Sequence, residues 1–175
     1  MVREWCKFNP HHKQKDPNFE SILDFYLWAC PVKGTAYLAK SFSDYGWVGG
    51  NQFKALKRNL LSASSIEIPF EATTPEKLNE TLAKHGQEEK RSCSEVIVIV
   101  NPEGEIETLL RSIRNALAHG SFLVEKKRND NDFFYFFENK DPKNDYKLRT
   151  RVVLKSSTLK AWKKEIEKGY IKPKK

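Results

Sequence analysis

Between positions 111 and 119 the chain carries Arg111, Arg114, Asn115 and His119. On a helix that turns about 100° per residue, these four side chains fall within an arc of roughly 140°. The other side of the same segment is apolar, with Ile106, Leu109, Leu110, Ile113 and Leu117 at helical spacing. Two guanidiniums, an amide and an imidazole therefore share one stripe facing away from the core. Those groups suit a phosphate: Arg offers a rigid fork of donors to non-bridging oxygens, Asn orients, and His trades a proton near neutral pH. A blander reading uses the same residues. A His just before a C-terminal Gly complements the helix dipole, and Arg on an outer helix face is ordinary. Spacing alone leaves both open.

A second basic feature lies at the end of the chain. Residues 151–175 hold nine basic and two acidic side chains, so this segment carries +7 of the net +8. Lys160, Lys163, Lys164 and Lys168 fall opposite Leu159, Trp162 and Ile166 on one predicted helix, followed by a tail with Lys172, Lys174 and Lys175. Such a stripe is either a solvated face or a phosphate-tracking surface, and it cannot read base sequence. Arg111, Lys160, Lys163 and Lys164 are accordingly the candidate substrate-binding set.

The elements that must hold these groups are read from periodicity. Asp16-Pro17 opens a first helix through Phe19, Ile22, Leu23, Tyr26 and Cys30. Residues 34–42 fit a short second helix, and Ser43 to Asn51 reads as an exposed loop whose Tyr45 and Trp47 are available for stacking on bases. Asn51 caps a helix carrying Phe53, Leu56, Leu60 and Leu61. Thr73 and Glu76 form a capping box for a weaker helix through Leu78 and Leu82. Val96 to Val100 is wholly β-branched and reads as a strand by propensity, although a helical surrounding can override so short a run. Asn101-Pro102 then restarts the helix that ends at Gly120. Beyond it the period changes to two, and residues 122–127, 133–138 and 146–155 read as an antiparallel meander. Phe133 to Phe137 alternates faces, so its outer side requires a packed helix or an interface. Ser157 caps the last helix.

Composition narrows the class. The chain has 175 residues, 12% aromatic and 31% charged, which fits one folded domain and excludes a disordered chain. Its longest apolar runs are far short of the roughly 20 residues a membrane helix needs. The first twenty residues show no apolar signal core, which implies a cytoplasmic protein. Cys6, Cys30 and Cys93 are widely spaced and read as free thiols. Cys6 with His11 and His12 lacks a fourth zinc ligand, so no metal site is expected.

The string LLRSIRNALAHGSF, with Arg114-Asn115-Ala116-Leu117-Ala118-His119-Gly120 at its centre, resembles the signature of the HEPN superfamily. The resemblance covers Leu109 to Phe122. It implies a mainly α fold, a HEPN-like helical bundle, into which the small antiparallel β-meander is inserted before the C-terminal helix. Residues 1–175 then form one domain: helices over 16–119, meander over 122–155, C-terminal helix over 157–168 and basic tail over 169–175. It also implies a homodimer that brings two Arg/His pairs together and cleaves RNA without a metal or other cofactor, often in toxin–antitoxin, abortive-infection or antiphage systems with an antitoxin or defence partner. By position, Arg114, Asn115 and His119 match the motif and are the candidate catalytic residues. Related members bind nucleotide, RNA or protein without cutting, which is the alternative reading.

Overall fold

A computed structural model of the chain describes residues 16–33, 35, 39–63, 67–87, 94–128, 130–141 and 147–172. Helix α1 (Phe19–Leu23) passes directly into a π-helical turn over Asp24–Ala29, closed by Cys30 N–H on Phe25 O at 2.7 Å. The wider turn lets the consecutive Phe25 and Tyr26 both face inward, with their rings edge-on. Then come α2 (Gly50–Ser62), β1 (Phe70–Thr73), α3 (Leu78–Lys84), β2 (Val96–Val100) and α4 (Glu105–Ala118). Strands β3 (Phe122–Lys126), β4 (Phe133–Asp141) and β5 (Lys147–Lys155) lead into α5 (Ser156–Lys168).

The expected mainly α bundle is not what forms. The architecture is α+β: one five-stranded sheet in the order β1-β2-β5-β4-β3. The three-stranded meander is present, but it is extended by β2, antiparallel to β5, and by β1, parallel to β2. The physical reason lies in Val96–Val100. Val96 and Val98 pack on one side of the sheet and Ile97 and Ile99 on the other, all nearly fully buried. A strand apolar on both faces is an interior strand, and once it pairs with β5 its own free edge recruits the short Phe70–Thr73. The crossover between these parallel neighbours carries α3.

The two faces of the sheet are unequal. Helices α1, α2, α4 and α5 pack on the side presented by Ile97, Ile99, Tyr135, Phe137, Val152 and Leu154. The opposite side, with Val96, Val98, Phe134, Phe136 and Val153, meets Leu78 and Leu82 of α3. A helix thus answers the outer face of the aromatic run.

Several local expectations are also revised. The Ser43 to Asn51 segment is largely exposed as expected, but Trp47 is not available for stacking: it is buried, its Nε1 donates to Ile166 O at 3.3 Å, and its ring packs edge-on against Tyr170. The proposed helix over 34–42 falls partly outside the described residues; its described end carries buried Phe42 into a 3-10 turn over Ser43–Tyr45. Thr73 caps no helix. It closes β1 opposite Val100, and its hydroxyl meets that of Thr81 at 2.9 Å. Gly49, with φ 79°, precedes α2 where Asn51 was expected, and Lys155 precedes α5 in place of Ser157.

Candidate functional site

Helix α4 positions the chemistry. Gly104, with φ 69°, starts it two residues later than Pro102, and Glu105 and Glu107 in the first turn complement the positive end of its dipole. Leu109, Leu110 and Ile113 are completely buried and Ala116 nearly so, which fixes the rotation of the helix about its axis. With that side inward, Arg111, Asn115 and His119 form an outward i, i+4, i+8 row. Arg111 and His119 are exposed; Arg114 and Asn115 are half-buried. Arg114 Nη1 donates to Asn115 Oδ1 at 3.1 Å, so the amide ties the second guanidinium to the row. Arg114 and His119 are separated by about 7.5 Å along the axis with Asn115 between them. An anion held over Asn115 lies between both.

His119 sits where the helix ends, and its position is set by backbone. Gly120 takes φ 67°; its N–H reaches Leu117 O at 3.4 Å, and Ser121 N–H reaches Ala116 O at 2.8 Å. These paired bonds form a Schellman turn, which needs the left-handed conformation that Gly adopts without strain. Ser121 O in turn accepts the N–H of Glu138 at 3.0 Å, so the turn is stitched into β4.

Beneath the row lies a polar contact that the sequence reading missed. Ser112 is buried among the apolar residues of α4, and its hydroxyl meets that of Thr150 on β5 at 2.9 Å. Asn139 Nδ2 on β4 donates to the same Ser112 Oγ at 3.4 Å. The signal available was a lone hydroxyl on the core side of an otherwise apolar helix. Its partners depend on strand register, which periodicity does not supply.

The α5 lysines occupy a separate place. Leu159, Trp162 and Ile166 are fully buried, and Trp162 Nε1 donates to Leu60 O at 2.7 Å. That leaves Lys164 exposed and Lys160 and Lys163 half-buried, with the Lys163 ammonium 5.7 Å from the Phe25 ring centroid. Helix α5 starts where β5 ends, five residues beyond Thr150, roughly 17 Å along the strand. The α4 row and the α5 lysines thus stand on two different helices that share one core, α4 reaching β5 at Thr150 and α5 starting after Lys155. Of the tail, Lys172 is exposed, while Lys174 and Lys175 lie outside the described residues, as do Cys6, His11 and His12. Among the described residues no three His, Cys, Asp or Glu side chains cluster to hold an ion, and no helix is long and apolar enough to cross a membrane.

A family model described as HEPN pEK499 p136 matches residues 38–175. The chain belongs to this HEPN family. The match runs from just before the Ser43–Tyr45 turn through α5 and contains the whole α4 row, Ser112 and the strands beneath it. HEPN membership suggests an RNase-like or nucleotide-binding module. No curated protein and no solved structure matches it.

Proposed function

We propose that this HEPN protein is a cytoplasmic, metal-independent endoribonuclease whose active site is the α4 row. One observation carries the reading: Arg114, Asn115 and His119 stand together on the outward side of a helix whose rotation and end are fixed by core packing and a Schellman turn. In the reaction the ribose 2′-oxygen attacks the adjacent phosphorus and the bond to the 5′-oxygen breaks. The products are a 2′,3′-cyclic phosphate and a 5′-hydroxyl. The 2′-hydroxyl proton passes to a base and the leaving oxygen takes one from an acid, both roles open to His119. Arg114, oriented by Asn115, offsets the charge that develops on the phosphorane oxygens.

Each row holds one His, so base and acid together call for two rows. A homodimer about a two-fold axis supplies them, with one chain's His119 as base and the other's as acid. Arg111 and the α5 lysines would guide the RNA backbone towards that cleft. An RNase of this kind is harmful unless restrained, which fits a toxin or antiphage component held by an antitoxin or defence-system partner.

The test is cleavage of single-stranded RNA in excess chelator. Products ending in 2′,3′-cyclic phosphate are expected, with His119→Ala slower by about 10²- to 10⁴-fold. A normally folded His119→Ala chain that cleaves at the wild-type rate overturns the proposal. RNA or nucleotide binding that depends on Arg114 without turnover of any RNA assigns the row to a non-catalytic HEPN module instead.

A further inference from the structure

The described end of the β4–β5 pairing touches α4 where Asn139 meets Ser112, and it carries an arginine that the α4 row does not include. Between Asn139 and Lys140 the pairing of the two strands shifts: Asn139 faces Thr150, but Lys140 faces Leu148. β4 advances one residue there while β5 advances two, so the extra residue is Arg149 and the bulge is in β5. Because β4 stays regular, Asp141 projects to the same side as Asn139, which is the side that touches Ser112 of α4. Ser112 marks the border between the buried and polar sides of α4. One and two turns on from Ser112 along the helix are Asn115 and His119, and two residues on from Asn139 along the strand is Asp141.

Asp141 is 9% exposed and holds Arg149, whose Nε and Nη2 reach the same Oδ2 at 3.0 and 2.6 Å. The Arg149 side chain is itself 58% exposed. A guanidinium has two donor edges. With the Nε side fixed on a largely buried carboxylate, the Nη1–Nη2 edge is the one left for a phosphate, already oriented before any ligand arrives. Bulges beside active sites commonly re-aim a side chain in this way.

We infer that the β4–β5 bulge forms the second wall of the RNA cleft, with Arg149 as a phosphate-backbone ligand and Asp141 as the residue that positions it. This rests on the RNA-site reading of the α4 row. The ligand class is the sugar–phosphate backbone of single-stranded RNA, on the nucleotide next to the one held over Asn115. Arg149 takes no part in the bond changes.

The experiment uses the whole chain and a labelled 2′-O-methyl oligouridine, which keeps the phosphates and lacks the attacking hydroxyl. Affinity is followed against salt. Arg149→Ala is expected to bind about tenfold more weakly and to lower the slope of log affinity on log salt by about 0.7. Arg149→Lys should restore the slope but not the full affinity, because the fork is lost and the charge kept. Asp141→Asn should change affinity when Arg149 is present and leave the Arg149→Ala chain unaltered. If Arg114→Ala weakens binding while Arg149→Ala leaves affinity and slope at wild-type values, the inference fails and the α4 reading stands. A wild-type chain that binds no oligouridine even at low salt overturns both. Arg149→Ala chains with a lowered melting point and unchanged binding assign the ion pair to the hairpin alone.

Discussion

Two arginines on opposite sides of one sheet show how differently the same side chain is used here. Arg151, on the α3 side, is fully buried, faces Glu138 across the β4–β5 ladder in a close ion pair, and donates from Nη1 to Gln87 O at 2.8 Å. Arg114, on α4, is half-buried and rests on Asn115 at the border of solvent, beside an exposed His. Burying two charges is costly, and the Arg151 charge is compensated by the Glu138 carboxylate and the Gln87 carbonyl. The pair's charges have nothing left to offer a ligand. The α4 row keeps its groups at the surface, where a phosphate can still reach them. Burial separates an arginine that holds the fold from one that can do chemistry.

The strongest way to break this contrast is to remove half of the buried pair. Glu138→Leu leaves the Arg151 charge without its carboxylate and is expected to cost about 3–5 kcal/mol, a large part of the roughly 5–15 kcal/mol that holds a domain of this size. Urea unfolding measures it. Replacing both partners, Glu138→Leu with Arg151→Met, should recover most of the loss, since well-packed apolar residues often match a buried ion pair. A single variant as stable as wild type would mean that the pair is not the structural element its burial implies.

A smaller effect is expected where the C-terminal segment meets the Ser43 to Asn51 loop. Gly169 has φ 75°, and a Cβ there would lie 2.6 Å from Tyr45 O, a backbone atom that cannot swing aside. Tyr170 N–H also donates to Tyr45 O at 2.8 Å. Gly169→Ala should therefore cost about 1–3 kcal/mol, read as a lowered melting temperature. Removing the tail from Lys168 onwards would take this anchor with it, so the charge of the tail is better tested by Lys172→Gln. The loop is largely exposed, as its composition suggested; the burial of Trp47 within it is legible only once Ile166 and Tyr170 are seen to cover the ring.

Between the two arginines stands a surface network of intermediate exposure. Glu71 on β1 accepts from Lys84 at 2.6 Å and from His85 at 3.1 Å, which holds its carboxyl below the ordinary value of 4.5. A depressed carboxyl stabilises the fold fully above that ordinary value, and the contribution is lost as pH falls through the folded value. With Lys84 mostly exposed, less than about 1 kcal/mol is at stake. Wild type should melt slightly above Glu71→Gln near neutral pH, and the two should converge in acid. A gap that widens in acid would reverse the assigned sign.

The unequal legibility of these regions has a physical basis. Helix α4 was plain in the sequence because amphipathic periodicity is local, and its row of Arg111, Arg114, Asn115 and His119 needs no tertiary information to be placed on one side. The meander was legible for the same reason. The sheet was not: whether Val96–Val100 becomes a strand depends on β5 lying beside it, and Phe70–Thr73 is a strand only because β2 offers an edge. Glu138 facing Arg151, and Ser112 facing Thr150 and Asn139, are facts of register, which no single segment encodes.

The smallest stability effects should come from the row itself. His119 and Arg111 are exposed, so neither His119→Ala nor Arg111→Ala creates a cavity or strands a buried charge, and each should shift unfolding by no more than about 0.5 kcal/mol. Arg114 is different in kind. Its half-buried stem packs along the helix, so Arg114→Ala would mix lost packing with lost charge. Arg114→Lys keeps the stem and the charge and removes only the planar fork, so its urea midpoint should also match wild type while RNA cleavage falls. Matching midpoints with lost cleavage would separate the row's chemistry from the fold's stability, the reverse of what Glu138→Leu should do. If instead His119→Ala lowers stability as much as the buried-pair variant, the residue is serving the helix end and the catalytic reading loses its support.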